Sequence, residues 1–428
     1  MIVKIPPKRP ELLAPAGNFE KLKAAFLFGA DAAYMAGKVF GMRAYADNFG
    51  LDEIEAASFY AHERKKKLYL TLNASLGVSE LEDFKTYLAE LKQLKDRPDA
   101  AICADLGAVS LVKKMLPELD IHISTQANVQ NPEAALAWAA LGAKRIILSR
   151  ELSLGDIRAI KEAVGDAVEL ECFVHGAMCV AYSGRCLLSN YFTGRDATKG
   201  ACAQSCRWRY HVSEQTRPGE YLPLEEGESG SLLFSSKDLC MIDHIGDLLG
   251  CKIDAFKIEG RMKSAYYAAC ITNAYRIAID TFWDFGKIEP ELAKKLKDET
   301  ESVSRREYDT GFFYASPAAD AKICDSPGYI REKTYLGTCI GYEAESQTAI
   351  FEQKNKVELN QKAQILSPQK TGEDILVSNL SDQDGAPIDS APHPKMIFGI
   401  KLDEAIKSAN PAWNGREIRP GDILRSTE

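Results

Sequence analysis

Four cysteines in one short stretch carry the clearest chemistry in this 428-residue chain. Cys179, Cys186, Cys202 and Cys206 fall within residues 172–209, CFVHGAMCVAYSGRCLLSNYFTGRDATKGACAQSCRWR, and Cys240 follows in SSKDLC. The SGRC and GACAQSC segments around them are glycine-rich and polar, so apolar packing does not account for thiols at these positions. Four thiolates suit two kinds of closed site, a structural zinc ion or an iron–sulfur cluster. Zinc sites usually use two tight CxxC knuckles, and the chain has none here. The wide spacing favours an iron–sulfur cluster, with [4Fe–4S] as the type, reached from separate loop segments. A lone thiol nucleophile would need no such companions. Cys103, Cys172, Cys251, Cys270, Cys324 and Cys339 lie apart from the four and read as small core residues.

Cations interleave with these thiols. Arg185, Arg195, Lys199, Arg207 and Arg209 share the stretch, and Asp196 is its only acid between Cys179 and Tyr210. Such a set stabilises an anionic four-thiolate cluster, or holds an anionic substrate or RNA phosphates.

The elements that must position this stretch follow a repeating pattern from residue 11 to about residue 280. Short apolar runs at 11–14, 32–35, 68–72, 100–104, 121–124, 145–148, 168–174 and 255–258 lack strict alternation, as buried parallel strands do. Helical patterns at 18–29, 81–94, 132–141 and 154–164 lie between them, with Asn18 and Asn131 at helix starts and Gly29 and Gly142 at helix ends. Eight strands alternating with helices predict an α/β fold, a TIM-like (β/α)8 barrel, with a doubly wound sheet as the alternative. In such a barrel the residues just after each strand form the catalytic rim. Here they are Asn73, Asp105, Gln126, Arg150, Glu151, His175, Glu259 and Arg261, with His175, Arg150 and Arg261 as the catalytic candidates.

The expected domains are a catalytic barrel over 1–285 with a Cys-rich insertion at 176–250, a helical and linker segment at 286–333, and a small β-barrel at 334–428. Within the middle segment, 289–301 reads as a charged, solvated helix. The last region has short β-rich runs at 336–342, 348–352, 356–366, 375–380, 396–401 and 422–425, separated by turn signals such as Asp384-Gly385.

Composition limits the function. Hydrophobic residues make up 46% of the chain, enough for a full core. The net charge of −8 argues against a protein that grips nucleic acid by bulk electrostatics, while a local basic patch stays compatible with it. No apolar run approaches the ~20 residues of a membrane span, and the start MIVKIPPKRP has no apolar signal core. A cytoplasmic location is expected, and with it free thiols rather than disulfides.

The segments ELLAPAGNFEKLKAAFLFGADAAY, ECFVHGAMCVAYSGRCLLS, GACAQSCRW, SSKDLC and FKIEGRMKS resemble the collagenase-like peptidase family over nearly the whole chain. The β-rich C-terminal region is similar to the branch that makes 5-hydroxyuridine at the tRNA wobble position. The resemblance implies a [4Fe–4S] cluster on Cys179, Cys186, Cys202 and Cys206, with Cys240 as an alternative fourth ligand. It also implies oxygen-independent hydroxylation in the tRNA anticodon loop, with prephenate, a dicarboxylate, as co-substrate and hydroxyl source. An electron donor or partner subunit would complete the system. Prephenate suits bidentate arginine recognition, for which Arg43, Arg150, Arg185 and Arg261 are candidates beside Asn73, Gln126 and His175. Tyr182 and Tyr191 are candidates for stacking on the unstacked wobble base. The alternatives are a hydroxylase of another RNA or of a quinone precursor, a peptidase, and a non-catalytic RNA-binding protein with a structural metal. Peptidase motifs such as HExxH and GxSxG are absent from the sequence.

Overall fold

The structure, a computed structural model, describes residues 8–42, 47–179, 186, 188–208, 212–213, 221–222, 236–315, 329–402 and 418–428. Seven parallel strands open the chain: β1 (Glu11–Pro15), β2 (Ala32–Ala36), β3 (Lys67–Leu72), β4 (Ala100–Cys103), β5 (Asp120–Ile123), β6 (Arg145–Ile147) and β7 (Glu169–Ala177). An eighth barrel strand, Ala255–Ile258, pairs in parallel with both β1 and β7 and so closes the barrel. Outside this ring the short strand Asp238–Cys240 runs antiparallel to β7, and Tyr308–Asp309 pairs with it in turn.

Helices α1 (Phe19–Leu27), α2 (Leu51–His62), α3 (Leu81–Gln93), α4 (Leu106–Met115), α5 (Pro132–Ala140) and α6 (Leu154–Val164) wrap the strands. Local chemistry sets their starts. Asn18, Asp105, Asn131 and Ser153 each accept a backbone N–H of the first turn, which satisfies a donor the helix itself leaves orphaned. Strand residues such as Leu12, Met35, Leu70 and Ile146 are fully buried and belong to the core layer between barrel and helices. The expected (β/α)8 barrel is therefore the observed one. No helix among the described residues is long and apolar enough to cross a membrane.

A layer of charge fills the lower half of the barrel. Arg145 bonds Glu11 at 2.6 Å, Glu169 at 2.7 Å and Glu171 at 3.2 Å, while Tyr69 donates to Glu11 at 2.9 Å. Glu171 is completely buried and also meets Lys257 Nζ at 3.1 Å. Burial, with the nearby charges of Arg145 and Lys257, holds His122 well below its ordinary pKa and therefore neutral.

Beyond the short helices α7 (Leu188–Thr193) and α8 (Ile245–Gly250), α9 (Ala265–Phe285) and α10 (Pro290–Glu301) lead to the C-terminal sheet. Seven antiparallel strands form that sheet around their own core of Phe351, Ile365, Phe398 and Ile400. The run expected at 356–366 splits into Val357–Glu358 and Lys362–Leu366, because Asn360 turns the chain at φ +64°. The helix expected to be solvated is not wholly so. Glu299 of α10 is buried against Arg425 through two 2.7 Å bonds, and Arg425 also reaches Ser302 at 3.2 Å. Asn273 of α9 donates to the Lys370 carbonyl at 2.7 Å and accepts from Gln369 N at 2.8 Å. The small sheet is thus docked on α9 and α10 by buried polar contacts.

Candidate active site

A pocket opens at the carboxyl ends of the barrel strands, where barrel enzymes carry their chemistry. Among the described residues its lining contains Arg150, Lys257 and Arg261 and one carboxylate, Glu259. Polar groups from β3 and β5 and the loops after them, Thr71, Asn73, Ser124 and Gln126, complete one wall, and Tyr34, Ile102 and Phe173 supply apolar surface.

Each charged group is held in place. Arg150 donates to the Ala177 carbonyl at 2.8 Å and lies 5.3 Å from the Phe173 ring centre. Arg261 is buried, donates to the Met42 carbonyl and reaches Asn48 Oδ1 at 3.4 Å. Lys257, buried on the eighth barrel strand, lies 4.4 Å from the Tyr34 ring centre and 5.4 Å from that of Phe173. Tyr34 donates its hydroxyl to the Ile258 carbonyl at 3.0 Å and to Glu259 at 3.1 Å. Burial and the Glu259 charge raise the Tyr34 pKa well above its ordinary value, so it stays a neutral donor.

His175 departs from the expected rim position. Phe173 pairs with Lys257 and His175 with Ile258, so Val174 is an extra residue, a bulge that reverses the inward–outward phase of β7. Gly176 follows at φ +107°, and a Cβ there would come within 2.3 Å of the Glu259 carbonyl oxygen, so only glycine fits the close crossing. The imidazole consequently leaves the pocket. It packs among Tyr267, Tyr275 and Tyr308, with Nε2 3.1 Å from the Tyr308 hydroxyl and Nδ1 3.4 Å from that of Tyr275. Burial lowers its pKa to about 3. Of the other rim candidates, Asp105 caps α4 and Glu151 binds Ser149. Asn73, Gln126, Arg150, Glu259 and Arg261 do line the pocket. Arg43, Arg185 and Tyr182 lie outside the described residues.

The described cysteines fall into three environments. Cys103, Cys172, Cys251, Cys270 and Cys339 are buried, and burial pushes the Cys103, Cys270 and Cys339 thiols up to about 12. Cys179, Cys186, Cys202 and Cys206 are half-buried in irregular chain, and Cys179 lines the pocket. Cys240 stands elsewhere, opposite His175 in register, with Sγ 3.9 Å from Thr300 Oγ1 and its pKa pushed up by burial to about 11. Among the described residues, no three His, Cys, Asp or Glu side chains are gathered into a metal-binding group. The four loop thiols therefore fit a thiolate-bound group in kind and exposure, without being drawn together on one point.

Within the insertion, residues 188–206 are braced. Arg195 donates to the carbonyls of Ala201 at 3.1 Å and Cys202 at 3.3 Å, and Ser189 Oγ links the Arg195 carbonyl at 2.6 Å to Ala203 N at 2.8 Å. Gln204 N points at Cys202 Sγ from 3.4 Å. Lys199 binds the Ser75 carbonyl at 2.6 Å and Glu80, and Ser75 N bonds the Thr198 carbonyl at 3.1 Å, which ties the Cys-rich segment to the loop carrying Asn73.

Comparison with known proteins matches residues 17–322 to peptidase family U32 and residues 331–410 to the peptidase family U32 C-terminal domain. The chain belongs to family U32. Among its U32 relatives, tRNA hydroxylation protein P1 of Bacillus subtilis is 35% identical over 96% of both chains. The tRNA hydroxylation protein P of Escherichia coli is 34% identical over 84% of this chain and 87% of its own. The 23S rRNA 5-hydroxycytidine C2501 synthase of Escherichia coli is 35% identical over 75% of this chain and 48% of its own.

Sequence reasoning did not single out Lys257 or Tyr34 of this U32 pocket. A signal for Lys257 was present: a lysine in the middle of an AFKI strand buried on both faces must be paired or face a cavity. No comparable signal marks Tyr34, which looks like any packed aromatic residue in AAYMA.

Proposed function

We propose that this chain is a tRNA hydroxylase that converts the wobble uridine of the anticodon loop to 5-hydroxyuridine, with an iron–sulfur cluster and a small dicarboxylate such as prephenate as hydroxyl source. The observation that carries the reading is the pocket lining among the described residues, where Arg150 and Arg261 face one carboxylate, Glu259, with a cysteine of the four-thiol set in the wall, while Lys257 shares its charge with Glu171. The relatives named for tRNA hydroxylation support RNA hydroxylation, and the one named for 5-hydroxycytidine synthesis supports C5 of a pyrimidine as the position.

Replacing C5–H by C5–OH is a two-electron oxidation that releases the C5 hydrogen as a proton, so the reaction needs an oxygen donor and a two-electron acceptor, such as a redox partner protein, reached through the site. Cys179, Cys186, Cys202 and Cys206 would hold a [4Fe–4S] cluster, which supplies redox-active iron when bound. The remaining work belongs to this chain's own side chains. Arg150 and Arg261, oriented by backbone carbonyls, match a carboxylate by paired N–H donors. Lys257 adds a point charge from below. The Tyr34 hydroxyl, whose proton is held by the Ile258 carbonyl and Glu259, fixes the Glu259 carboxylate as an acceptor for the substrate. The uracil reaches this depth only after leaving its stack, as base-modifying enzymes require.

The test is anaerobic purification followed by incubation with unmodified tRNA and prephenate. The expected results are a brown protein with about four irons per chain and prephenate-dependent appearance of 5-hydroxyuridine. A colourless protein with a single zinc, and no product, would overturn the reading.

A further inference from the structure

Three large aromatic side chains stand in solvent on the Cys-rich insertion. Tyr191 is 82% exposed, Phe192 45% and Trp208 41%. They form a contiguous group, with ring centres 5.2 Å apart for Tyr191–Phe192 and 6.2 Å for Phe192–Trp208. The first two stand on α7 (Leu188–Thr193), and Trp208 follows the tight turn Ser205–Arg207, which packs against α7. Water is an unfavourable surrounding for such rings, and the braces from Arg195 and Ser189 hold the segment that presents them.

The composition of the segment that carries the patch selects its occupant. By sequence, five cations and one acid lie between Cys179 and Tyr210, in a chain whose net charge is −8. A neutral apolar protein surface gains nothing from that setting. Unpaired nucleotides do, because their bases stack on aromatic faces while their phosphates meet Lys and Arg. Placement agrees as well: Lys199 and Thr198 join the insertion to Ser75, next to pocket-lining Asn73.

We propose that Tyr191, Phe192 and Trp208 form a stacking platform for unpaired bases of the substrate RNA next to the base delivered to the barrel pocket. The proposal rests on the reading of the substrate as an RNA loop. Stacking of this kind is indifferent to base identity, so the platform fixes the loop's position and leaves the choice of base to the pocket.

The test uses the anaerobically purified full chain with Phe192→Ala, Trp208→Ala and the ring-retaining Trp208→Phe. Two probes are titrated at one fixed salt concentration: an anticodon stem–loop RNA, and a blunt RNA duplex of the same base composition. Each alanine variant is expected to lose about tenfold in stem–loop affinity, with duplex affinity unchanged and Trp208→Phe close to the parent. Unchanged stem–loop affinity in alanine variants that melt at the parent temperature overturns the platform and assigns the patch to a protein contact. Formation of 5-hydroxyuridine by the unsubstituted protein is followed in parallel. Product without any platform effect defeats the platform alone, whereas absence of product defeats the hydroxylase reading and leaves the platform to be judged by binding.

Discussion

The two ends of the barrel handle charge in opposite ways. In the lower half Arg145 is enclosed by Glu11, Glu169 and Glu171, and Lys257 reaches down to share Glu171. Those charges answer one another inside the protein, at a heavy desolvation cost that only near-complete pairing offsets. In the upper half Arg150 and Arg261 donate to the backbone carbonyls of Ala177 and Met42 and still face a cavity with one carboxylate. The lesson is that an arginine wholly or half withdrawn from solvent has two distinct uses, separated by what it is bonded to. Paired with carboxylates it is architecture; aimed by neutral carbonyls into a cavity it is suited to a ligand's negative charge.

Substitutions at the two ends should therefore fail differently. The largest effect is expected in the upper half, where Cys202→Ala should abolish 5-hydroxyuridine formation and lower iron content while the melting temperature holds. Nucleoside mass spectrometry and iron analysis check this. In the lower half Arg145→Met leaves buried Glu171 short of a partner and should cost about 3–5 kcal/mol of stability, read by denaturant titration. A loss below about 1 kcal/mol would break the contrast between the ends. Arg150→Lys keeps the charge but loses the paired donors, so KM for the dicarboxylate should rise about tenfold with stability unchanged. A change in stability instead of KM would place Arg150 with the architectural group.

The smallest effect concerns pH. His175 and His122 are neutral in the folded protein because burial lowers both pKa values, His175 to about 3. The unfolded chain takes up these protons below the ordinary histidine value of about 6.5. Their contribution is thus complete above that pH and is lost on acidification, by about 1.4 kcal/mol per pH unit for each histidine, until the folded pKa is reached. His175→Gln should flatten the stability profile between about pH 6.5 and pH 3 relative to the parent. An unchanged slope would show that the imidazole is already protonated in its tyrosine cage.

Much of this arrangement was readable before the fold. The eight barrel strands were marked by short apolar runs bounded by turn residues, and Arg150 and Arg261, which line the pocket, stood out by position. His175 was misplaced because one inserted residue, Val174, reverses the side-chain phase, and nothing in ECFVHGA announces a bulge. The docking of the C-terminal sheet was hidden for a similar reason. Glu299 in an exposed-looking helix and Arg425 near the chain end are unremarkable in sequence, and only the tertiary structure brings them to 2.7 Å. Pairings between residues this far apart in the chain leave no periodic trace.

The central claim, that the thiol-bearing loop and the cationic pocket together hydroxylate tRNA, meets its most direct test in one measurement. Bulk tRNA is digested to nucleosides from cells lacking this gene and from the same cells supplied with the parent chain or with Cys202→Ala. The account predicts 5-hydroxyuridine derivatives restored by the parent and absent with the variant. Equal amounts of these nucleosides in all three samples would contradict it.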